Sequence, residues 1–236
     1  MLSLENFSHH YANSDFRLGP FNLDVQPGEC LGVMGQNGAG KSTLFQILTG
    51  NLRLSEGSAR FGDQPISISN YALKKRFGYL PQNLELPKWV SAKELFSYAA
   101  NLYELQNSQD IIESSLDYWD IRHFADRPLT ACSHGMKKRV SLGLATIHSP
   151  DILILDEPFS GLDLFHIKAL QDNIQERKQQ KLITILSTHI APYTASLCSR
   201  LVGIRRGELL PVEPWGDKSA LEKIEIVESF FFKNET

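Results

Sequence analysis

A glycine-rich segment near the start of the chain contains the residue types that bind phosphate groups. Residues 35–42 read Gly-Gln-Asn-Gly-Ala-Gly-Lys-Ser and match the pattern G-x-x-x-x-G-K-[ST]. Glycines let consecutive backbone N–H groups curl around phosphate oxygens, and the following helix directs its positive end at the same anion. Lys41 adds a full charge for the β- and γ-phosphates, and Ser42 offers a hydroxyl to Mg²⁺. We therefore expect a nucleotide phosphate site here.

Two adjacent acidic residues follow an apolar run in the second half of the chain. Residues 152–155 read Ile-Leu-Ile-Leu and are followed by Asp156 and Glu157. An apolar strand delivers such acids to its carboxyl end, where ligands bind in open α/β sheets. Asp156 is suited to holding Mg²⁺ through its water shell, and Glu157 to polarising an attacking water. For an isolated acid pair, the alternative interpretation is a surface turn. Together with the phosphate loop, the pair of Asp156 and Glu157 predicts phosphoryl-transfer chemistry.

The elements that must position these residues alternate between strands and helices, which indicates an α/β architecture. Apolar runs predict strands over residues 2–7, 21–25, 31–34, 152–155 and 182–186. Helical patterns cover residues 41–48, 91–105, 110–119, a stretch from Ser133 to before Pro150, and residues 164–180. Short strands and turns, followed by a terminal helix or tail, are expected after Leu201.

Three helices in succession interrupt the alternation in the middle of the chain. The first begins at a capping box, Ser91 with Glu94. We interpret residues 1–236 as one domain, with a helical lobe at about residues 84–148 inserted in the catalytic core. The phenylalanines at 230–232 are expected to pack against the body of the protein, with a partner site as the alternative.

Composition sets limits on the class of protein. The 236 residues include 42% apolar residues and carry a net charge of −3, which gives no reason to expect nucleic acid binding. Cys30, Cys132 and Cys198 form no C-x-x-C pattern, so we expect reduced, buried thiols of a cytosolic protein. Neither a leader peptide nor an apolar run of about 20 residues is recognisable.

Over nearly its whole length the chain resembles the nucleotide-binding subunits of ATP-binding-cassette transporters, because the motifs of that family occur in order. They are the Walker A loop at 35–43, the glutamine loop at Gln82, the signature at 132–136, Walker B at 152–157, the D-loop at 160–163 and the switch histidine, His189. The resemblance implies a P-loop NTPase core with an antiparallel β portion and an inserted helical lobe.

The resemblance also implies a role for each matching residue. Glu157 and His189 would be catalytic, and Mg²⁺ would be held by Ser42, Gln82 and Asp156. Tyr11 matches an aromatic residue that stacks on adenine, with Phe16 and His10 as alternatives. The residues implied to bind ATP are Tyr11, Gly35, Asn37, Gly38, Ala39, Gly40, Lys41, Ser42, Thr43, Gln82, Ser133 and Gly135.

The signature departs from the Leu-Ser-Gly-Gly-Gln that is usual in the family. This chain keeps Ser133 and Gly135 but has Cys132, His134 and Met136 at the other positions. A hydroxyl, a glycine and a helix N-terminus are retained, and these are the parts needed to bind a γ-phosphate. We therefore expect an active site.

The implied function is ATP hydrolysis that powers a transporter, with two subunits closing head-to-tail around two ATP molecules. The partners would be a second ATP-binding subunit, identical or different, and transmembrane permease subunits. The expected location is the cytoplasmic face of the inner or plasma membrane, where the partner would hold the chain. Export is favoured over import, because the signature is similar to exporter variants and importer subunits often carry a longer C-terminal domain. Two alternatives are a soluble ATPase of this superfamily with a non-transport partner and a non-catalytic ATP binder.

Overall fold

A computed structural model describes residues 1–211, 215 and 218–232. The strands are β1 (Leu2–His10), β2 (Arg17–Val25), β3 (Cys30–Met34), β4 (Glu56–Phe61), β5 (Gln64–Pro65), β6 (Phe77–Leu80), β7 (Ile152–Asp156), β8 (Ile183–Ser187), β9 (Arg200–Arg205) and β10 (Glu208–Pro211). The helices are α1 (Lys41–Leu48), α2 (Tyr71–Lys74), α3 (Ala92–Leu102), α4 (Ser108–Tyr118), α5 (His134–Thr146), α6 (Leu164–Gln179), α7 (Ala191–Leu197) and α8 (Ala220–Phe232).

The larger sheet has six strands in the order β10-β9-β3-β8-β7-β6. The five strands from β9 to β6 are parallel, and β10 pairs antiparallel with β9 at the edge. Parallel strands end at the same edge of a sheet, so the segments that follow β3, β6, β7 and β8 lie side by side. This is the edge at which the phosphate loop and the acid pair were predicted.

Alternation along the central strands divides the core into two clusters. Ile152 and Ile154 of β7 pack in the cluster that contains α1 and the smaller sheet, whereas Leu153 and Leu155 pack with the long helices. All five residues of β3, β7 and β8 are buried. Strands covered on both faces read as continuous apolar runs, which is why β3, β7 and β8 could be predicted from the sequence.

The smaller sheet is antiparallel, with the strand order β2-β1-β4-β5. Strands β1 and β2 pair along their length and form bulges after Leu4 and Phe7. The apolar face of this sheet, including Leu2 and Phe7, joins the cluster beneath α1. The antiparallel portion therefore supports the phosphate loop from the side opposite the long helices.

Helices α3, α4 and α5 lie between β6 and β7 and pack around fully buried aromatic side chains. Ser91 caps α3 by accepting from Glu94 N–H, and the Glu94 carboxylate accepts from Ser91 N–H in return. Trp119 is 1% exposed and donates its indole N–H to Thr146 Oγ1 at 3.3 Å. Gly143 brings α5 against α3, since a Cβ there would lie 2.4 Å from the ring of Phe96. The exact limits of a helical lobe, about 84–148, stay a prediction.

Several elements differ from the sequence prediction. Strand β1 continues to His10 and β2 begins at Arg17, because ladder pairing extends them through polar residues. The short or polar elements β4, β5, β6, α2 and α7 were not predicted. Phe230 packs against Gly203, whereas the side chains of Phe231 and Phe232 lie outside the described residues. In the described part of the chain, the helices are too short or too polar to span a bilayer.

Candidate active site

The phosphate loop connects β3 to α1 and surrounds a small hollow. Gly40 caps α1 with a φ of 118°, and a Cβ there would lie 2.9 Å from Leu18 Cδ1 and 3.0 Å from Phe16 Cζ. Glycine is therefore required by both backbone conformation and space. The hollow measures about 190 Å³ and is lined by Phe16, Asn37, Gly38, Ala39, Gly40, Lys41, Ser42, Thr43 and Gln82. Gly35 lies directly after β3, where a Cβ would be 2.5 Å from Ile204 O.

Lys41 is directed back along its own loop. Its ammonium donates to Gly35 O at 2.6 Å and to Gln36 O at 3.1 Å. Burial lowers the pKa of the Lys41 side chain, and the carboxylates of Asp156 and Glu157 oppose that shift. The cation is thus held at the phosphate loop by weak backbone acceptors that a phosphate anion can replace.

Asp156 ends β7 and is 1% exposed. One carboxylate oxygen accepts from Ser42 Oγ at 3.0 Å and the other accepts from Ser187 Oγ. Carboxylate and hydroxyl oxygens are the ligands that Mg²⁺ prefers, usually together with substrate phosphates and water. Asp156 and Ser42 fit that ligand set. Among the described residues no group of three or more His, Cys, Asp or Glu side chains is arranged to hold a metal.

Glu157 follows Asp156 in a left-handed backbone conformation, with a φ of 47°. Its N–H donates to Ser187 O at 3.1 Å and lies 3.2 Å from Ser187 Oγ. This turn directs the Glu157 carboxylate toward His189, whose Nδ1 is 3.0 Å from Glu157 Oε2. The strained backbone and the paired side chains are typical of a site built for chemistry.

Gln82 lies two residues after β6 and lines two hollows. One is the phosphate-loop hollow. The other is an open cleft of about 860 Å³ that extends from Ser42 and Asp156 to Tyr103 and Leu144. Gln82 therefore stands between the catalytic edge of the sheet and helix α5.

The aromatic residues near the loop are not equivalent. Tyr11 is 39% exposed, and its hydroxyl lies 3.1 Å from Thr43 Oγ1. Phe16 lines the phosphate-loop hollow itself. His10 is exposed at the end of β1. Tyr11 stays the predicted adenine contact, and Phe16 is the one of these three residues that lines the hollow.

The signature residues form the start of α5. Ser133 is the N-cap and accepts from Met136 N–H at 3.2 Å. Gly135 packs so closely on the D-loop that a Cβ would lie 2.8 Å from Gly161 O. Ser133 and Gly135 are not among the described residues that line the phosphate-loop hollow. Contacts within one chain link Ser42 to Asp156 and Glu157 to His189, whereas Gly135 packs against Gly161 of the predicted D-loop.

Two contributors were missed by the sequence analysis. Ser187 bonds both Asp156 and the Glu157 backbone, and its place at the end of a buried strand beside His189 was a usable signal. Lys138 is fully buried on α5 and donates to Glu157 O at 2.9 Å. No pattern in the sequence pointed to this burial, because the charge of a lysine predicts exposure.

Comparison with known proteins gives consistent matches over this site. Residues 18–160 match the family described as ABC transporter. An uncharacterised ABC transporter ATP-binding protein of Synechocystis, sll0415, is 34% identical over 197 residues, which cover 82% of this chain. That alignment covers 55% of the relative, so the chain spans little more than half of the relative's length.

Solved structures agree with the fold. The ATP-binding subunit of an ABC transporter superposes with a TM-score of 0.84 at 24% identity, over 97% of this chain and 99% of the other. The cbiO1 protein of Clostridium perfringens, part of the ABC transporter complex cbiONQ, has a TM-score of 0.73 at 27% identity. That match covers 89% of this chain and 86% of cbiO1.

Proposed function

The chain belongs to the ABC transporter family, and on that premise we propose that it is the ATP-hydrolysing subunit that powers a membrane transporter. The fold class inferred from the sequence is confirmed by the structural matches. The observation that carries the proposal is the convergence of Lys41, Asp156, Glu157 and His189 at one edge of the sheet. These residue types bind, neutralise and hydrolyse a nucleoside triphosphate.

The phosphate loop and α1 would bind the phosphates of ATP. Backbone N–H groups from Gly35 to Thr43 and the Lys41 ammonium supply the positive field. Ser42 and Asp156 would hold Mg²⁺, with Gln82 as a further oxygen ligand. When bound, Mg²⁺ neutralises developing charge on the phosphate oxygens.

Glu157 would act as the base in hydrolysis. Its carboxylate orients a water molecule and accepts a proton from it while the water oxygen bonds to the γ-phosphorus. The bond to the bridging β–γ oxygen breaks, and ADP and phosphate leave. His189, hydrogen-bonded to the Glu157 carboxylate, would keep this side chain oriented and contact the γ-phosphate.

Ser133 and Gly135 would complete the site of a second subunit. Their position at the start of α5, outside the phosphate-loop hollow of their own chain, supports this role. The helix N-terminus and the Ser133 hydroxyl are suited to a phosphate that arrives with a partner chain. We infer a head-to-tail pair with two ATP molecules between the subunits.

A membrane partner is proposed because the related proteins are named as subunits of ABC transporters, one of them within a cbiONQ complex. The chain would then lie at the cytoplasmic face of the membrane, held there by permease subunits. The open cleft beside Gln82 adjoins both the catalytic edge and α5, which suits a partner segment that senses ATP. The alternative is an ATPase of this family that drives a non-transport partner.

The proposal is tested by phosphate release from the purified chain and its Glu157→Gln variant. The variant should bind MgATP yet turn over at least about a hundredfold more slowly, because it lacks the carboxylate that takes the proton. Glu176→Gln, the same change on an exposed face of α6, is the matched control and should retain activity. Near wild-type turnover by Glu157→Gln would contradict the assignment.

A further inference from the structure

A lysine is buried directly behind the catalytic turn. Lys138 lies on α5, five residues after the N-cap Ser133, and is 0% exposed. Its ammonium donates to Glu157 O at 2.9 Å. An ammonium in a protein interior is unfavourable unless nearby groups compensate for the lost hydration. The position of the compensating groups therefore indicates what the charge does.

The compensating charges are the acid pair at the end of β7. Burial lowers the pKa of Lys138 to about 8, and the carboxylates of Asp156 and Glu157 act in the opposite direction. The direct bond goes to a backbone carbonyl rather than to a carboxylate. The ammonium thus contacts the backbone of the turn and leaves the Glu157 side chain available for chemistry.

The backbone that Lys138 contacts is in a conformation that ordinary residues avoid. Glu157 has a φ of 47°, so its peptide groups need specific partners to keep it there. The N–H side is bonded to Ser187, and the carbonyl side accepts from Lys138 and from Ser160 Oγ at 3.3 Å. Removing the Lys138 side chain would remove the shorter of these two bonds. Among the described side-chain contacts, the Glu157 carbonyl would keep the longer bond from Ser160 Oγ.

We propose that Lys138 is a positioning residue that fixes the backbone turn of Glu157 and so aims its carboxylate at the attacking water. Because Lys138 stands on α5, it also ties this turn to the helix that begins with the signature. The inference rests on the proposed ATPase function. It assigns Lys138 no contact with the nucleotide.

The first test separates positioning from packing by replacing Lys138 with methionine, a side chain of similar length without charge or donor. The kcat for ATP hydrolysis should fall about tenfold or more, while KM and the melting temperature change little. Lys138→Arg should recover part of the lost kcat, because it restores a cation and a donor. Lys168→Met, at an exposed lysine of α6 that is paired with Asp172, is the control and should keep wild-type kcat.

Three results would overturn the inference: a Lys138→Met kcat within about twofold of wild type, a loss in KM alone, or no recovery by arginine. If the methionine variant does not fold, Lys138→Leu, which also lacks a charge and a hydrogen-bond donor, provides the same comparison. Wild-type turnover is measured first. An inactive wild type refutes the ATPase proposal, whereas an active wild type with an active Lys138→Met refutes only this inference.

A double-mutant cycle tests whether Lys138 acts through Glu157. If it does, adding Lys138→Met to Glu157→Gln should lower the remaining single-turnover rate by less than about twofold, since the carboxylate to be aimed is already gone. Independent effects would multiply, and the double variant would lose a further tenfold. That multiplicative result would place the role of Lys138 elsewhere.

Discussion

At the scale of single residues, Lys41 is bound to its own loop where a phosphate is expected. Replacing it with alanine should weaken MgATP binding about tenfold or more, because a charge-assisted bond to the phosphates is lost. A titration with fluorescent ATP measures the affinity. Lys168→Ala, which removes an exposed lysine paired with Asp172 on α6, is the control. Unchanged affinity for Lys41→Ala would exclude Lys41 as a phosphate ligand.

His148 makes stability depend on pH. Burial lowers the pKa of this imidazole to about 4, while its hydrogen bond to Phe77 O opposes the shift. The unfolded chain takes up the proton near pH 6.5, so the stability due to His148 is fully present above that pH and is lost as the pH falls toward about 4.

The expected loss through His148 is on the order of 2 kcal/mol. Urea unfolding at pH 7.5 and 4.5 should show it as a larger decrease for wild type than for His148→Gln, which keeps a donor but does not titrate. His123→Gln, at an exposed histidine, should behave like wild type. Equal pH dependence of wild type and His148→Gln would contradict the prediction.

At the scale of elements, the capping box fixes where α3 begins and hence how α3 meets the segment after Gln82. Ser91→Ala removes the acceptor for Glu94 N–H and should lower the free energy of unfolding by about 1 kcal/mol. Urea denaturation measures this change. Ser97→Ala, inside the same helix, is the control and should cost less, since Ser97 only donates to Lys93 O within the helix. Equal losses of unfolding free energy for both variants would show that the Ser91 cap stabilises α3 no more than a serine inside the helix does.

At the scale of the whole molecule, the separation of Ser133 from the phosphate-loop hollow predicts an ATP-dependent dimer. The Glu157→Gln chain should elute as a monomer without nucleotide and as a dimer with MgATP, because trapped ATP links a loop to a partner's signature. Size-exclusion chromatography with light scattering measures the mass.

Adding Ser133→Arg to Glu157→Gln should abolish this dimer, because the arginine fills the space that the γ-phosphate needs. Ser114→Arg, at an exposed position on α4, is the matched control and should leave the dimer intact. A dimer that persists with Ser133→Arg would show that residues 132–136 are an ordinary helix start rather than a working signature.

The sequence by itself determined the fold class and located the motifs from which the site is predicted. The phosphate loop, the acid pair and His189 each follow an apolar strand, and such strands could be located because they are buried on both faces. The α3 capping box was equally local, since Ser91 and Glu94 are three residues apart. These features depend on neighbours in the chain.

Only the tertiary structure decided the features that depend on distant residues. Strand β4, with the sequence Glu-Gly-Ser-Ala-Arg-Phe, is specified by pairing with β1 rather than by its own weak pattern. Ser187 and Lys138 reach the Glu157 backbone from positions 30 and 19 residues away. A buried lysine looks like a surface residue in sequence, because its charge predicts exposure. Its burial becomes favourable only when folding brings the carboxylates of Asp156 and Glu157 close to the Lys138 ammonium.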